Sequence, residues 1–291
     1  MHRFIAAERA NHTVAMLCRV LGVSRAGFYA AEGRPLSERA LEDKRLLAEI
    51  RRIHSDSREA YGIPRVHAML ARKGIRVGRK RVARLMRKAS ISGLVKRRKG
   101  KTTVRVPGVA TRPDLVRREW SPTEPNRLWV ADITYCRTWE GRLYLAAVVD
   151  CYSRKVVGWS LRQGLEAELV TEAVEMAVAR RRPDRGLVHH SDRGSQYVSL
   201  AFGERCREAG IDLSMTAGGS PLDNAVVESF FATLKRELVD RYSWPTREDL
   251  RVAIFEWVEV FYNRQRLHTT LGNYAPEEFE NLSLNQLKEA A

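Results

Sequence analysis

Cysteine is scarce in this 291-residue chain. Its four cysteines, Cys18, Cys136, Cys151 and Cys206, lie far apart with no C-x-x-C pair. That spacing argues against a disulfide framework and a zinc finger and fits reduced thiols. Long apolar runs are also missing. The longest, Leu143 to Val149, is far too short to span a bilayer, and the N-terminus lacks the apolar core of a signal peptide. The expectation is a soluble, intracellular protein with no membrane partner. A third absence is local: residues 61–110 hold 16 Lys or Arg and not one Asp or Glu. A solvated helix face normally mixes signs, so this stretch points to contact with a nucleic acid.

The whole chain shows the same bias, with a net charge of +16. It is uneven: residues 1–120 carry 30 basic and 10 acidic side chains, whereas residues 121–291 carry 21 and 25. A basic N-terminal part and a near-neutral C-terminal part predict separate domains, the first meeting an anionic polymer.

Hydrophobic periodicity divides the chain further. Residues 1–57 form a helical N-terminal region. Val14, Leu17 and Cys18 share a face that breaks at Gly22, and Ser24 is placed to cap a second short helix. Either a helix-turn-helix or a plain helical hairpin fits this pattern. A longer helix follows from about Ser37 to His54, with Leu41, Ile50 and Ile53 inward. Residues 58–95 repeat the helix, glycine turn, helix order. Ile63 to Lys73 leads to Gly74–Gly78, then Arg79 to Lys88. The last helix turns Val82, Leu85 and Met86 inward and Arg79, Lys80, Arg84, Arg87 and Lys88 outward, the better candidate for a DNA-reading surface. Residues 96–124 read as a basic, proline-punctuated linker in which Lys96, Arg97, Arg98 and Lys99 can follow a phosphate backbone.

Residues 125–285 change pattern. Trp129–Thr138, Arg142–Val149 and Lys155–Leu161 are β-rich, with breaks short enough for hairpins. Glu166–Arg181 is a helix, Leu187–His190 a strand, Leu200–Ala209 a helix and Ile211–Met215 a strand; helices follow near 223–239 and 247–262. The order predicts a mixed five-stranded sheet flanked by helices, its first three strands antiparallel and the later two parallel. The chain as a whole is expected to be multidomain, an α-helical region followed by an α/β domain.

Three carboxylates stand out by their settings. Asp132 lies mid-strand in W-V-A-D-I-T-Y between apolar neighbours, where an unpaired carboxylate is expensive to bury. Asp192 follows the end of the fourth strand on an Arg-Gly turn. Glu228 sits on the helix after the fifth strand, where Val227, Phe230 or Phe231, Leu234 and Leu238 form the buried stripe. Asn224 and Lys235 fall at i−4 and i+7 from Glu228, which reads as one ridge carrying an amide, a carboxylate and an ammonium beside a phosphate backbone. Asp150 competes with Asp132, although it closes its own strand ahead of a turn. Three converging carboxylates need countercharge, since two unit charges about 4 Å apart repel by roughly 4 kcal/mol at an effective dielectric near 20. An all-oxygen set suits Mg²⁺ or Mn²⁺, and two such ions can serve an in-line phosphoryl displacement.

W-V-A-D-I-T-Y, H-S-D-R-G-S-Q-Y and D-N-A-V-V-E-S-F-F-A-T-L-K resemble the three catalytic motifs of DDE transposases related to retroviral integrases. More narrowly the chain is similar to the insertion-sequence-three family. Y-G-I-P-R-V-H-A-M-L with G-R-K-R-V-A-R-L-M-R resembles that family's upstream helix-turn-helix, and Y-N-R-Q-R-L-H-T-T-L-G-N-Y-A-P-E-E-F-E its C-terminal signature. The resemblance spans roughly residues 60–280. It implies an RNase H-like catalytic domain, with Asp132, Asp192 and Glu228 as catalytic residues and metal ligands. It also implies cleavage at element ends and strand transfer on double-stranded DNA. A homo-oligomer is expected, since two ends must meet. The chain looks like a second-reading-frame product, whose partner is the first-frame protein of the same element, and it is expected in the cytoplasm on the nucleoid. The Thr216–Ser220 loop departs from the family pattern, lacking a basic residue before its glycines.

Two other functions fit parts of the pattern. His190-Ser-Asp-Arg193 with Tyr274 downstream satisfies the spacing of a tyrosine recombinase. A non-catalytic DNA-binding regulator derived from a transposase would keep the same domains.

Overall fold

A computed structural model describes residues 1–33, 35, 37–94, 112–117, 119–216 and 224–289. Three short helices open the chain: α1 (His2–Glu8), α2 (Val14–Val20) and α3 (Arg25–Glu32). They close around Ile5, Leu17, Cys18 and Phe28. Ser24 caps α3 as expected, its hydroxyl accepting from the Gly27 N–H at 3.0 Å. Gly22 takes a φ of +64° in the turn, a conformation that costs glycine little. The bend between α2 and α3 is 113°, within the range of a helix-turn-helix.

A second helical unit is formed by α4 (Glu38–Asp56), α5 (Ile63–Arg72) and α6 (Arg79–Lys88). Leu46, Ile50 and Ile53 of α4 pack with Val66, Leu70, Val82, Leu85 and Met86, so α4 packs across the expected boundary at residue 57. Leu41 is 43% exposed instead of inward. Nine residues separate it from Ile50, which at 3.6 residues per turn places it on the opposite side of the helix. The charge run from Lys96 to Lys101 lies outside the described residues.

The sheet follows: β1 (Leu128–Thr138), β2 (Gly141–Asp150) and β3 (Val156–Arg162) in an antiparallel meander, then α7 (Ala167–Arg181), β4 (Leu187–Ser191), α8 (Leu200–Glu208) and β5 (Ile211–Met215). Strand order is β3-β2-β1-β4-β5, with β4 parallel to both β1 and β5. This is the mixed sheet that the element order predicted. One face packs under α7 and α8 through Trp129, Ala131, Val148, Leu169 and Phe202. The other face is covered by α9 (Ala225–Glu237) and α10 (Arg247–Glu256), whose core continues into the α4–α6 unit. The expected helix to Tyr262 instead loosens to a π-helical turn over Trp257–Tyr262, and α11 (Pro276–Glu289) completes the chain.

Tyr61 fastens the two parts together. Its hydroxyl accepts from the Leu267 N–H at 2.7 Å and donates to the Gln265 carbonyl at 3.3 Å. Ion pairs Arg58–Glu256, Arg241–Glu59 and Arg72–Glu278 surround this contact. Among the described residues no single helix is long and apolar enough to cross a membrane.

Candidate active site

The parallel register sets the site. Leu128, Trp129 and Val130 of β1 pair with Val188, His189 and His190 of β4. Continuing that register by two residues brings Asp192, just past the end of β4, level with Asp132. Asp132 is half-buried, and its carboxylate accepts from the Ile133 N–H at 2.7 Å. Burial and then the nearby negative charge of Asp192 raise its pKa to about 7; Glu228 adds to this, while Lys235 opposes it. The charges of both Asp192 and Glu228 thus act on Asp132. Asp192 stands at the exposed end, held by the Gly194 N–H at 3.0 Å, and loss of water around its carboxyl raises its pKa. The tight Asp-Arg-Gly turn lets that amide point back at the carboxylate. Among the described residues, no three His, Cys, Asp or Glu side chains are grouped closely enough to hold a metal ion.

Glu228 is exposed in the first turn of α9, above a stripe in which Val227, Phe230, Phe231, Leu234 and Leu238 are buried as expected. Lys235 lies near Asp132, its ammonium 5.4 Å from the centre of the Tyr135 ring. Arg142 and Arg137 approach the same ring at 5.1 and 5.9 Å. Asn224 corrects the ridge reading. It is the residue before the helix, with φ −148° and ψ 37°, so helical phase does not apply to it. Its side chain is buried and donates to the Ala131 carbonyl at 2.9 Å, pinning the start of α9 to β1 beside Asp132. Its amide is thus held inside the fold between α9 and β1. Among the described residues its Oδ1 is buried without a hydrogen-bond partner.

Asp150 is spent elsewhere. It is fully buried and accepts from the Asn126, Tyr152 and Ser153 N–H groups at 2.7, 2.9 and 3.2 Å, organising the turn after β2. The tyrosine-recombinase pattern fares no better. His190 is 1% exposed with Nδ1 paired to the Ser214 hydroxyl at 2.9 Å, and the Tyr274 ring holds Arg72 at 5.5 Å.

Tyr197 was not singled out, although it closes the H-S-D-R-G-S-Q-Y run. It is 1% exposed, and its hydroxyl has no hydrogen-bond partner among the described residues. Burial, then the charges of Asp132 and Asp192, raise its pKa. Trp120 is a second addition, packing edge-on against His190 at 5.3 Å.

On α6, Arg79, Lys80, Arg87 and Lys88 are exposed. Arg84 differs: it donates to Asp43 of α4 at 2.7 Å, and Arg81 donates to Asp43 and Glu42 at 2.8 and 3.0 Å. Arg84 thus spends part of its charge within the helical unit. Lys96, Arg97, Arg98 and Lys99 lie outside the described residues.

Comparison with known proteins agrees with this layout. Residues 41–99 match the HTH-like domain family, and residues 122–221 and 209–276 match two integrase core domain families. A transposase for insertion sequence element IS629 from Shigella sonnei is 38% identical over 277 residues, covering 94% of this chain and 93% of the relative. Transposase InsF for insertion sequence IS3A from Escherichia coli (strain K12) is 35% identical over 283 residues, covering 97% and 98%. Among solved structures, the HTLV-2 integrase catalytic core domain in complex with magnesium covers 54% of this chain and 98% of its own, with 18% identity and a TM-score of 0.41. With identity above 30% along nearly the whole length of its relatives, the chain belongs to the insertion-sequence transposases that join an HTH-like domain to an integrase core.

Proposed function

We propose that Asp132, Asp192 and Glu228 are the residues through which this transposase cuts DNA and transfers strands. The observation that carries the reading is the parallel register of β1 and β4, which sets Asp192 level with Asp132; the Asp132 pKa is raised first by burial, then by Asp192 and more weakly by Glu228. Such mutual repulsion favours a cation between them, and a purely carboxylate donor set suits Mg²⁺ or Mn²⁺. Two ions held by these carboxylates would stabilise the attacking and leaving oxygens of an in-line phosphoryl displacement.

The chain's own groups prepare that chemistry. The Ile133 and Gly194 amides fix the Asp132 and Asp192 carboxylates. Asn224 anchors the start of α9 to β1 and so sets the height of Glu228 above the sheet. Lys235 supplies a cation for a phosphate next to the acidic centre. Arg79, Lys80, Arg87 and Lys88 on α6 hold the element end through its backbone, and a dimer or larger homo-oligomer brings two ends together. The first-reading-frame protein of the same element is a further partner under this reading.

The test is end nicking and strand transfer on a duplex carrying the element's terminal repeat. Asp132→Asn, Asp192→Asn and Glu228→Gln should each abolish both steps while leaving DNA binding intact. Substantial cleavage by any one variant removes that residue from the set. Binding with no cleavage by the unaltered protein in Mg²⁺ or Mn²⁺ favours a DNA-binding regulator instead.

A further inference from the structure

A groove of about 750 Å³ runs from Glu228 along α9 and is also lined by Arg65 of α5 and by residues of the segment 262–270. Along α9 it is lined by the small side chains of Ala225, Ser229, Ala232 and Thr233, with Val226 and Phe230 beside them, and it ends at Arg236. Glu228 and Arg236 are eight residues apart, about 12 Å of helix at 1.5 Å per residue. One DNA strand carries a phosphate roughly every 3.4 Å of axis, so about three or four would lie along that length.

Four guanidinium groups line this groove: Arg65 from α5, Arg154 from the turn after β2, Arg236 from α9 and Arg266. Among the described residues only Arg266 is well compensated, its two donors meeting Glu237 at 2.8 and 2.7 Å. Arg236 reaches Glu237 only at 3.9 Å, and that carboxylate is already engaged by Arg266. Arg65 is half-buried with its guanidinium 5.4 Å from the Tyr61 ring centre. Among the described residues no carboxylate pairs with Arg65 or Arg154. Their convergence has an independent sign. His268 lines the same groove, and its pKa is pushed down to about 2 by burial and then by Arg266, Arg65 and Arg154 in turn. Half-buried cations without acidic partners are costly unless an anion joins them.

We propose that this groove is the track for the phosphodiester backbone of one DNA strand as it runs between the acidic site and the HTH-like domain. The proposal rests on the reading of Glu228 as part of that site. Small side chains along α9 let the strand lie close to the helix, while Arg236, Arg154 and Arg65 meet successive phosphates. Because Arg65 belongs to the HTH-like domain and Arg154 and Arg236 to the core, the strand bridges the two. Phosphate contacts of this kind hold register without reading sequence.

The test is the salt dependence of binding to a short duplex carrying the element's terminal repeat, and to a scrambled duplex, using the full chain in EDTA. Arg154 sits at φ +63°, so Arg154→Gly removes the charge at a backbone conformation that suits glycine. The double variant Arg154→Gly with Arg236→Gln should lower the log–log salt slope by about 1.4 to 1.8, from roughly 0.7 to 0.9 per lost phosphate contact. The loss should be equal on both duplexes, with an unchanged melting temperature. Arg65→Gln should remove about one contact more on the same scale. An unchanged slope in folded variants overturns the track, as does a loss confined to the terminal repeat or a change of oligomeric state in sedimentation. Asp192→Asn, assayed beside them for nicking, separates the failures. If it abolishes nicking while the arginine variants keep the full slope, the track alone is wrong. If it still nicks, the acidic site is wrong and the slope judges the track by itself.

Discussion

Acidification should destabilise this protein through histidines that the fold keeps neutral, and His189 gives the magnitude. Its ring is fully buried against Tyr197 and Phe202, and neither nitrogen has a hydrogen-bond partner among the described residues. Burial, then the neighbouring His190, hold its pKa near 3 against 6.5 for the free side chain. The folded pKa is depressed, so the unfolded chain takes up the proton first. The stabilising contribution is full above pH 6.5 and is lost progressively as the pH falls toward 3. At pH 5 the loss amounts to about 2 kcal/mol, from 1.36 kcal/mol per unit over the 1.5 units below 6.5. Urea melts at pH 7.5 and pH 5, run on the parent and on a His189 variant, isolate this loss, because in the parent it is summed with a loss of the same sign from His268 and an opposing gain from Asp132, whose folded pKa is raised. His189→Leu should shrink the difference between the two pH values by about the same 2 kcal/mol, whatever it does to stability at pH 7.5. A pH dependence unchanged by the substitution would refute the assignment, because the proton uptake would then belong to other groups.

Three further outcomes follow from particular contacts. At Gly158 on β3, an added Cβ would stand 2.1 Å from the Ala173 carbonyl oxygen and 2.8 Å from the Ala177 Cβ of α7. Gly158→Ala should therefore cost about 3 kcal/mol or more by forcing helix from sheet, read as a lowered denaturation midpoint; a midpoint within error of the parent contradicts the close approach. Glu237→Gln leaves Arg266 buried without its anion and should cost about 3–5 kcal/mol, whereas replacing both partners with methionine should recover much of it. Equal loss in the single and double variants would count against the ion pair as the cause. Lys235→Ala should lower the salt slope of DNA binding by about 0.9, and an unchanged slope returns this lysine to the ordinary surface.

Much of the fold was legible because its signals are local and repeat. The apolar stripes of α6 and α9 fixed their inward faces, and the hairpin breaks at Glu140-Gly141 and Ser153-Arg154 gave the meander. The rule that strands joined through helices pair in parallel gave the direction of β4 and β5, whereas the seat of β4 beside β1 is seen in the ladder from Leu128–Val188 to Val130–His190. Other features depend on tertiary packing that a pattern does not carry. Leu41 was grouped with Ile50 by composition against its helical phase. Asn224 was counted on a helix that starts one residue later. Arg84 was read as a free cation because its partner, Asp43, sits on a separate helix. The candidate site was readable as three settings, strand interior, strand end and helix ridge. Tyr197 was not, since a tyrosine after a turn looks alike whether it faces solvent or packs inside against His189 and Phe202. The groove beside α9 was invisible for the same reason: Arg65, Arg154, Arg236 and Arg266 come from four separate segments.

The central claim is that Asp132, Asp192 and Glu228 act as one cation site, and Mn²⁺ binding measured by electron paramagnetic resonance tests it most directly. Titration of the full chain in the presence of duplex DNA should show bound Mn²⁺, and Asp132→Asn, Asp192→Asn and Glu228→Gln should each weaken that binding sharply. Unaltered binding in all three variants would contradict the account; unaltered binding in one would show that its carboxylate stands outside the site.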